Sequence, residues 1–286
     1  VICKYSMVQA SGPYRCPNVR VDMRMVLTHN PTATAMRGVG SPQITFALEG
    51  LMDTLAERLG LDPVELRVRN YLSKGEALAT GQPLKRDVRL AQTLDQAQRA
   101  LEKAVSADGG THEEGGSNGL RRAKGFASNM TGYGRHGTVA QAHVGVQLDG
   151  SAVVAAGAPD LGAGQGGGYR QLAASLLGLP IERVTVLLSD SHATPLVGMT
   201  AGSRQFLNTG SAIQCAAEPI VRAMKEAAAG LLEARAEDII LSEGKAFVRG
   251  APEQTVSHAQ VVAACAAAGA ALTNRGTFTI GPEPYP

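Results

Sequence analysis

The sequence predicts an α+β fold of mixed sheets and packed helices arranged in two lobes, and three observations carry that expectation. Apolar residues recur at helical spacing in some stretches and alternate with polar ones in others. Glycine- and proline-bearing loops separate these stretches at short intervals. A polar, glycine-rich run, SADGGTHEEGGSNG, interrupts the 286-residue chain and reads as a surface linker. The expected organisation is the end of a first lobe over 1–72, a helical connector and polar linker over 73–120, and part of a second lobe over 121–286.

The elements follow in order. VRVDMRMVLTHNP (19–31) alternates Val19, Val21, Met23 and Met25 with polar residues, the pattern of a half-buried strand. A helix is expected next, with Ser41 as N-cap, Pro42 in its first turn, a stripe of Ile44, Leu48, Leu51, Leu55 and Leu59, and a stop at Gly60. Asp62 and Pro63 announce a second, short helix. A moderately helical segment covers about Leu90–Val105.

In the second lobe, 140–157 reads as a hairpin around Asp149-Gly150. A glycine loop follows, then a helix near 169–177, a strand over 183–190, and TAGSR (200–204). The next helix is expected from about Gly210 to Ala234, with Pro219 marking a kink or a late start. A hairpin near DIILSEGKAFVRG and a helix near 257–268 complete the reading.

Composition narrows the function classes. The formal net charge is +2 and the basic residues are dispersed, which argues against a nucleic-acid or membrane-surface partner. No run reaches the length of a membrane-spanning helix, and no basic-then-apolar leader opens the chain. It begins Val-Ile-Cys and ends TFTIGPEPYP, as part of a longer polypeptide would. Cytoplasm is the expected compartment, with the periplasm reached only through a partner's export signal. Cys3, Cys16, Cys215 and Cys265 are far apart and read as isolated buried thiols. The histidines form no HxH or HxxxH pair, so no metal site is expected from this chain's own side chains.

The question the chemistry turns on is the loop APDLGAGQGGGY, where Gly162, Gly164, Gly166, Gly167 and Gly168 precede a helix. Three readings compete. Gly162, Gly164 and Gly167 fit a dinucleotide fingerprint with Asp190 at the end of the next strand. Against it, Pro159-Asp160 breaks the approach to the first glycine, and the preceding strand belongs to a hairpin. A loop without a ligand is the second reading, although this one sits between well-patterned elements rather than among serines and charges.

The third reading joins three stretches in order: GPYRCPNVRV with NPTATAMRGVGSPQITFALEGLMDTLAERLGLDPVELRVRNYL, then DLGAGQGGGYRQLAASLLGLPIERVTV, then TAGSRQFLNTGSA. Together they resemble the molybdopterin-binding large subunit of the xanthine oxidase and aldehyde oxidase family of molybdenum hydroxylases, whose segments read like A-F-R-G-F-G-x-P-Q, G-x-E-M-G-Q-G and T-x-A-x-S. The resemblance covers most of 12–72 and 120–220. It implies a cofactor of molybdopterin with Mo, in some members molybdopterin cytosine dinucleotide, and electrons leaving through [2Fe–2S] and FAD on partner chains. It also implies a small-molecule substrate, an aldehyde or N-heterocycle hydroxylated with oxygen from water.

By the same resemblance, Arg37 and Gly38 approach the molybdenum end. Gly162, Ala163, Gly164 and Gln165 line the pterin and its phosphates, with Ala201, Gly202, Ser203 and Arg204 opposite. Met36, Val39 and Tyr133 face the substrate pocket. Ala163 departs from the family glutamine, with Gln165 two residues on, and Met36 and Val39 stand where aromatics are common. The family's general base is a glutamate in a G-E-like motif near the subunit's C-terminal end. Glu283 in GPEPYP does not match it, so no catalytic residue is expected here and another chain or segment must supply the base. A non-catalytic assembly lobe of such a complex and, behind it, a dinucleotide-binding dehydrogenase domain are the alternatives.

Overall fold

A computed structural model of the chain describes residues 2–31, 38–107, 123–130, 139–202 and 204–280. The polypeptide divides into two compact units, Val1–Gly132 with Pro284–Pro286, and Tyr133–Glu283. Residues 73–107 of the expected connector thus belong to the same unit as residues 2–72. Most of the expected linker lies outside the described residues.

The first unit is helical: α1 (Ile2–Val8), α2 (Ser41–Leu59), α3 (Pro63–Asn70) and α4 (Leu90–Ala107). Gly40, not Ser41, caps α2, with φ 77°, and Gly60 ends it at φ 63°. Ser41 is the first helical residue, and its hydroxyl lies 3.1 Å from Asn129 Oδ1. Asp62 caps α3 as expected, accepting from Val64 N at 2.8 Å and Glu65 N at 2.9 Å.

The expected stripe on α2 is not its packed face. Glu49, Met52 and Ala56 turn inward, whereas Leu51, Leu55 and Leu59 are exposed. The reason is a buried ion pair invisible to a hydrophobic pattern. Arg67 Nε lies 2.8 Å from Glu49 Oε2 and Nη1 lies 2.9 Å from Asp53 Oδ1. Glu49 also accepts from Tyr14 Oη at 2.6 Å and Ser128 N at 2.8 Å. Burial and that carboxylate push the Tyr14 phenol far up, so it acts as a donor. Removing one partner of such a pair costs roughly 3–5 kcal/mol, because the other charge stays buried. Helix α2 is therefore rotated to satisfy an electrostatic demand.

Segment 19–31, expected as a strand, joins no sheet among the described residues. Alternation makes a strand only where a ladder partner exists, and Met25, Val26 and Leu27 are exposed.

The second unit holds β1 (Val139–Val146), β2 (Ala152–Ala156), α5 (Gln165–Leu177), β3 (Val184–Leu188), α6 (Gln205–Leu232), β4 (Ile239–Ser242), β5 (Lys245–Val248), β6 (Ala251–Ser257), α7 (His258–Ala267) and β7 (Thr273–Thr279). One sheet has the order β3-β2-β1-β7 and the other β4-β5-β6. The fold is α+β, as expected; the four-stranded sheet is mixed and the three-stranded one antiparallel. The β1–β2 hairpin turns at Asp149-Gly150, where Gly150 takes φ 81°. Strand β2 also pairs with β3 in parallel, so the hairpin argument against a nucleotide-type crossover holds for only one side of β2.

Helix α6 lies across β1 and β7. It starts at Gln205, earlier than the expected Gly210, and continues through Pro219. Ala212, Ile213, Ala216, Ala217, Ile220 and Met224 are buried on one face, and that packing outweighs the single backbone bond lost at proline. Contact with β7 is so close that a Cβ on Gly276 would meet Ala212 O at 2.0 Å. Cys265 is buried, but Cys16 and Cys215 are exposed, contrary to the expectation of buried thiols.

Candidate functional site

Parallel pairing of β2 and β3 sets Ala156 beside Leu188, so the loops that follow leave the same sheet edge. Residues 157–164 lead into α5 and residues 189–204 into α6. A Cβ on Gly157 would lie 2.4 Å from Pro195 O, so the two loops touch. The helices then run side by side in one direction. Tyr169 stacks on Phe206 with ring centroids 5.5 Å apart, Tyr169 Oη donates to Gln205 O at 3.2 Å, and Leu172 meets Gly210. Two helix N-termini therefore share one edge, where backbone dipoles favour negative charge. Neither N-cap residue, Gly164 or Arg204, supplies a side-chain cap.

The glycines of the first loop do different jobs. Gly162 and Gly164 adopt φ 82° and 75°, and a Cβ on either would enter empty space. Gly167 is equally open, whereas a Cβ on Gly168 would meet Phe206 at 2.6 Å. The loop amides are not free. Asp160 Oδ1 accepts from the N–H groups of Gly162, Ala163 and Gly164 at 2.9, 3.0 and 3.1 Å, and Oδ2 accepts from Gly166 at 3.4 Å. Desolvation pushes this exposed carboxyl up, but the four N–H groups outweigh it and hold the group below its ordinary range.

Around the two N-termini lies a set of buried polar atoms without hydrogen-bond partners among the described residues: Gln165 Oε1, Thr200 Oγ1, Gln205 Nε2 and Asn208 Oδ1. Each such atom costs roughly 1–3 kcal/mol when left unsatisfied. A protein keeps several together where something polar completes them. Leu161, Leu196, Met199 and Phe206 are exposed nearby in sequence and add apolar surface. Open glycines, adjoining helix N-termini and unsatisfied amide groups leave this edge able to take a polar ligand that carries negative charge.

Arg204 is only 4% exposed. Its Nε donates to Met199 O at 3.1 Å and its Nη2 donates to the same carbonyl. It braces its own loop from within. Ala201 and Gly202 are exposed, with Gly202 at φ 66°. In the first unit, Gly38 is exposed at φ 76° and its carbonyl accepts from Ser41 N at 2.7 Å, while Val39 is half-buried. Met36, Arg37, Tyr133 and Ser203 lie outside the described residues. Asp190, the candidate ribose ligand of the dinucleotide reading, instead caps its own turn, accepting from His192 N at 2.8 Å. No group of three or more metal-ligating side chains occurs among the described residues.

Sequence reading missed the role of Asp160 and the unpaired Gln205 and Asn208. The first had a signal, an Asp two residues before a glycine turn. The second had none, because an unsatisfied amide exists only after packing.

Two molybdopterin cofactor-binding domain families match, one over residues 1–71 and the other over residues 99–285. The chain is 35% identical over 225 residues to the aldehyde oxidoreductase of Megalodesulfovibrio gigas, covering 76% of this chain and 24% of that protein. It is 47% identical over 102 residues to the nicotinate dehydrogenase large molybdopterin subunit of Eubacterium barkeri, covering 36% of this chain and 23% of that one. The fold matches quinoline 2-oxidoreductase from Pseudomonas putida with a TM-score of 0.67 at 24% identity, over 96% of this chain and 38% of that one. The aldehyde oxidoreductase of Desulfovibrio desulfuricans gives 0.60 at 26% identity, over 86% and 24%. The chain thus spans about a quarter of the length of the first two relatives.

Proposed function

Because this chain belongs to the xanthine oxidase and aldehyde oxidase family of molybdenum hydroxylases, as part of its molybdopterin-binding large subunit, we propose that it forms part of the cofactor cradle of an enzyme that hydroxylates an aldehyde or N-heterocycle. The observation that carries this is the group of unpaired Gln165, Thr200, Gln205 and Asn208 atoms at two adjoining helix N-termini. When bound, the molybdenum cofactor supplies the two-electron redox chemistry, with oxygen taken from water. This chain's residues bind and orient it.

Gly162, Ala163 and Gly164 offer a face without obstructing side chains. Gln165 supplies the amide that Ala163 lacks. Ala201, Gly202 and Ser203 line the second loop, and Arg204 holds that loop in shape rather than reaching a phosphate. Arg37 and Gly38 belong to the molybdenum end, and Met36, Val39 and Tyr133 to the substrate side. The general base, the [2Fe–2S] clusters and FAD come from partner chains or further segments. A cytosine dinucleotide extension suits the N-terminus of α6, the part of this edge that Asp160 does not occupy. No helix among the described residues is long and apolar enough to cross a membrane, and we place the work in the cytoplasm unless a partner carries an export signal.

The test is molybdenum and oxidised-pterin fluorescence on the native assembly, normalised to this chain. About one of each per chain is the expected result. Neither, in a fully assembled complex, would favour the second reading, a non-catalytic assembly lobe, for which Ala163 at the family glutamine position speaks.

A further inference from the structure

Resting on that functional reading, we infer that Asp160 is a positioning residue that holds the Gly162–Gly166 amides itself, so the cofactor meets the side-chain-free face of this loop and not its N–H groups. A single carboxylate engages four consecutive-loop donors, three of them on one oxygen at 2.9–3.1 Å. A phosphate seated on the same amides would have to displace a group tethered two residues away, and would meet its negative charge. Meanwhile the positions where side chains would obstruct approach, Gly162 and Gly164, are open. The unpaired Gln165 Oε1 follows directly on the loop's last capped turn. Nearby, Gln205 and Asn208, 7% and 3% exposed, keep unpaired amide atoms on the adjoining helix. The loop's polar backbone is thus satisfied internally, and recognition falls to side-chain amides whose placement depends on the loop's shape.

The experiment compares wild type, Asp160→Ala and Asp160→Asn in the full assembly. Hydrogen-exchange protection of the Gly162, Ala163, Gly164 and Gly166 amides and pterin content per assembled chain are both measured. Asp160→Ala should abolish the protection and lower pterin content several-fold, and Asp160→Asn, which keeps one acceptor oxygen, should restore most of both. A merely structural contribution would lower thermal stability while leaving pterin per assembled chain unchanged, and that result overturns the inference. More pterin, or newly acquired inorganic pyrophosphate binding, in Asp160→Ala also overturns it, because the carboxylate would then be a competitor. If Asp160→Ala does not assemble, wild type and Asp160→Asn decide. Wild-type protection, corrected for intrinsic exchange, should fall only below the ordinary carboxylate range, and that of Asp160→Asn should be flat with pH. A flat wild-type profile overturns the inference. Wild type lacking pterin sinks the functional reading, while the exchange data still report whether Asp160 holds the loop.

Discussion

Two regions of the second unit use glycine in opposite ways. At the shared edge of β2 and β3, Gly162, Gly164 and Gly167 face empty space, while Gly157 and Gly168 on either side of them are packed. Away from that edge, Gly178, Gly150 and Gly276 are pressed against other backbone: an added Cβ would meet Leu241 O at 2.4 Å, Ala259 N at 3.1 Å and Ala212 O at 2.0 Å respectively. The same residue type thus serves access in one place and close packing in the other. A glycine count cannot separate these uses. The atoms around each glycine do.

Substitutions sharpen that contrast. The largest effect is expected for Gly276→Ala, which forces β7 off α6 and should cost about 3 kcal/mol or more; chemical denaturation of the second unit reads it directly. A comparable effect should appear with pH at His258, which is buried in the packed region with both ring nitrogens unpartnered. Burial lowers its pKa from 6.5 to about 4. The unfolded chain therefore binds the proton first, and stability present above pH 6.5 is lost as pH falls towards 4, by roughly 3 kcal/mol. His258→Leu should flatten that part of the melting-temperature profile.

At the open edge the costs are smaller and the functional consequences greater. Gly164→Ala places a side chain at φ 75° and should cost about 1–2 kcal/mol while reducing pterin content. Gly167→Ala meets no obstacle and should raise the melting temperature slightly, through a gain of up to about 1 kcal/mol in helix propensity. If Gly167→Ala instead destabilised the unit as much as Gly276→Ala, the division between access and packing glycines would fail.

Much of this was legible in the sequence. The β1–β2 hairpin, the Asp62 cap, the glycine loop ahead of α5 and the β4–β5 hairpin all rest on local signals that the fold preserves. What could not be read was non-local. The rotation of α2 follows from Glu49 meeting Arg67, a pairing no periodicity encodes. Segment 19–31, which joins no sheet among the described residues, carries a strand pattern whose realisation depends on a neighbour. The site's loops were recognisable as motifs, and an Asp two residues before a glycine turn marked the role of Asp160, whereas Arg204 turning inward onto Met199 O emerged only from the packed structure.

Strand β1 is completed by β7, with Val139 opposite Thr279. During synthesis, one flank of β1 must wait while nearly the whole second unit is made. Until β7 emerges from the ribosome, β1 presents a bare edge and the small-residue face of α6 has no Gly276 to press against. Such distant closure is slow and leaves a sticky intermediate. The nascent polypeptide should therefore engage chaperones until β7 arrives.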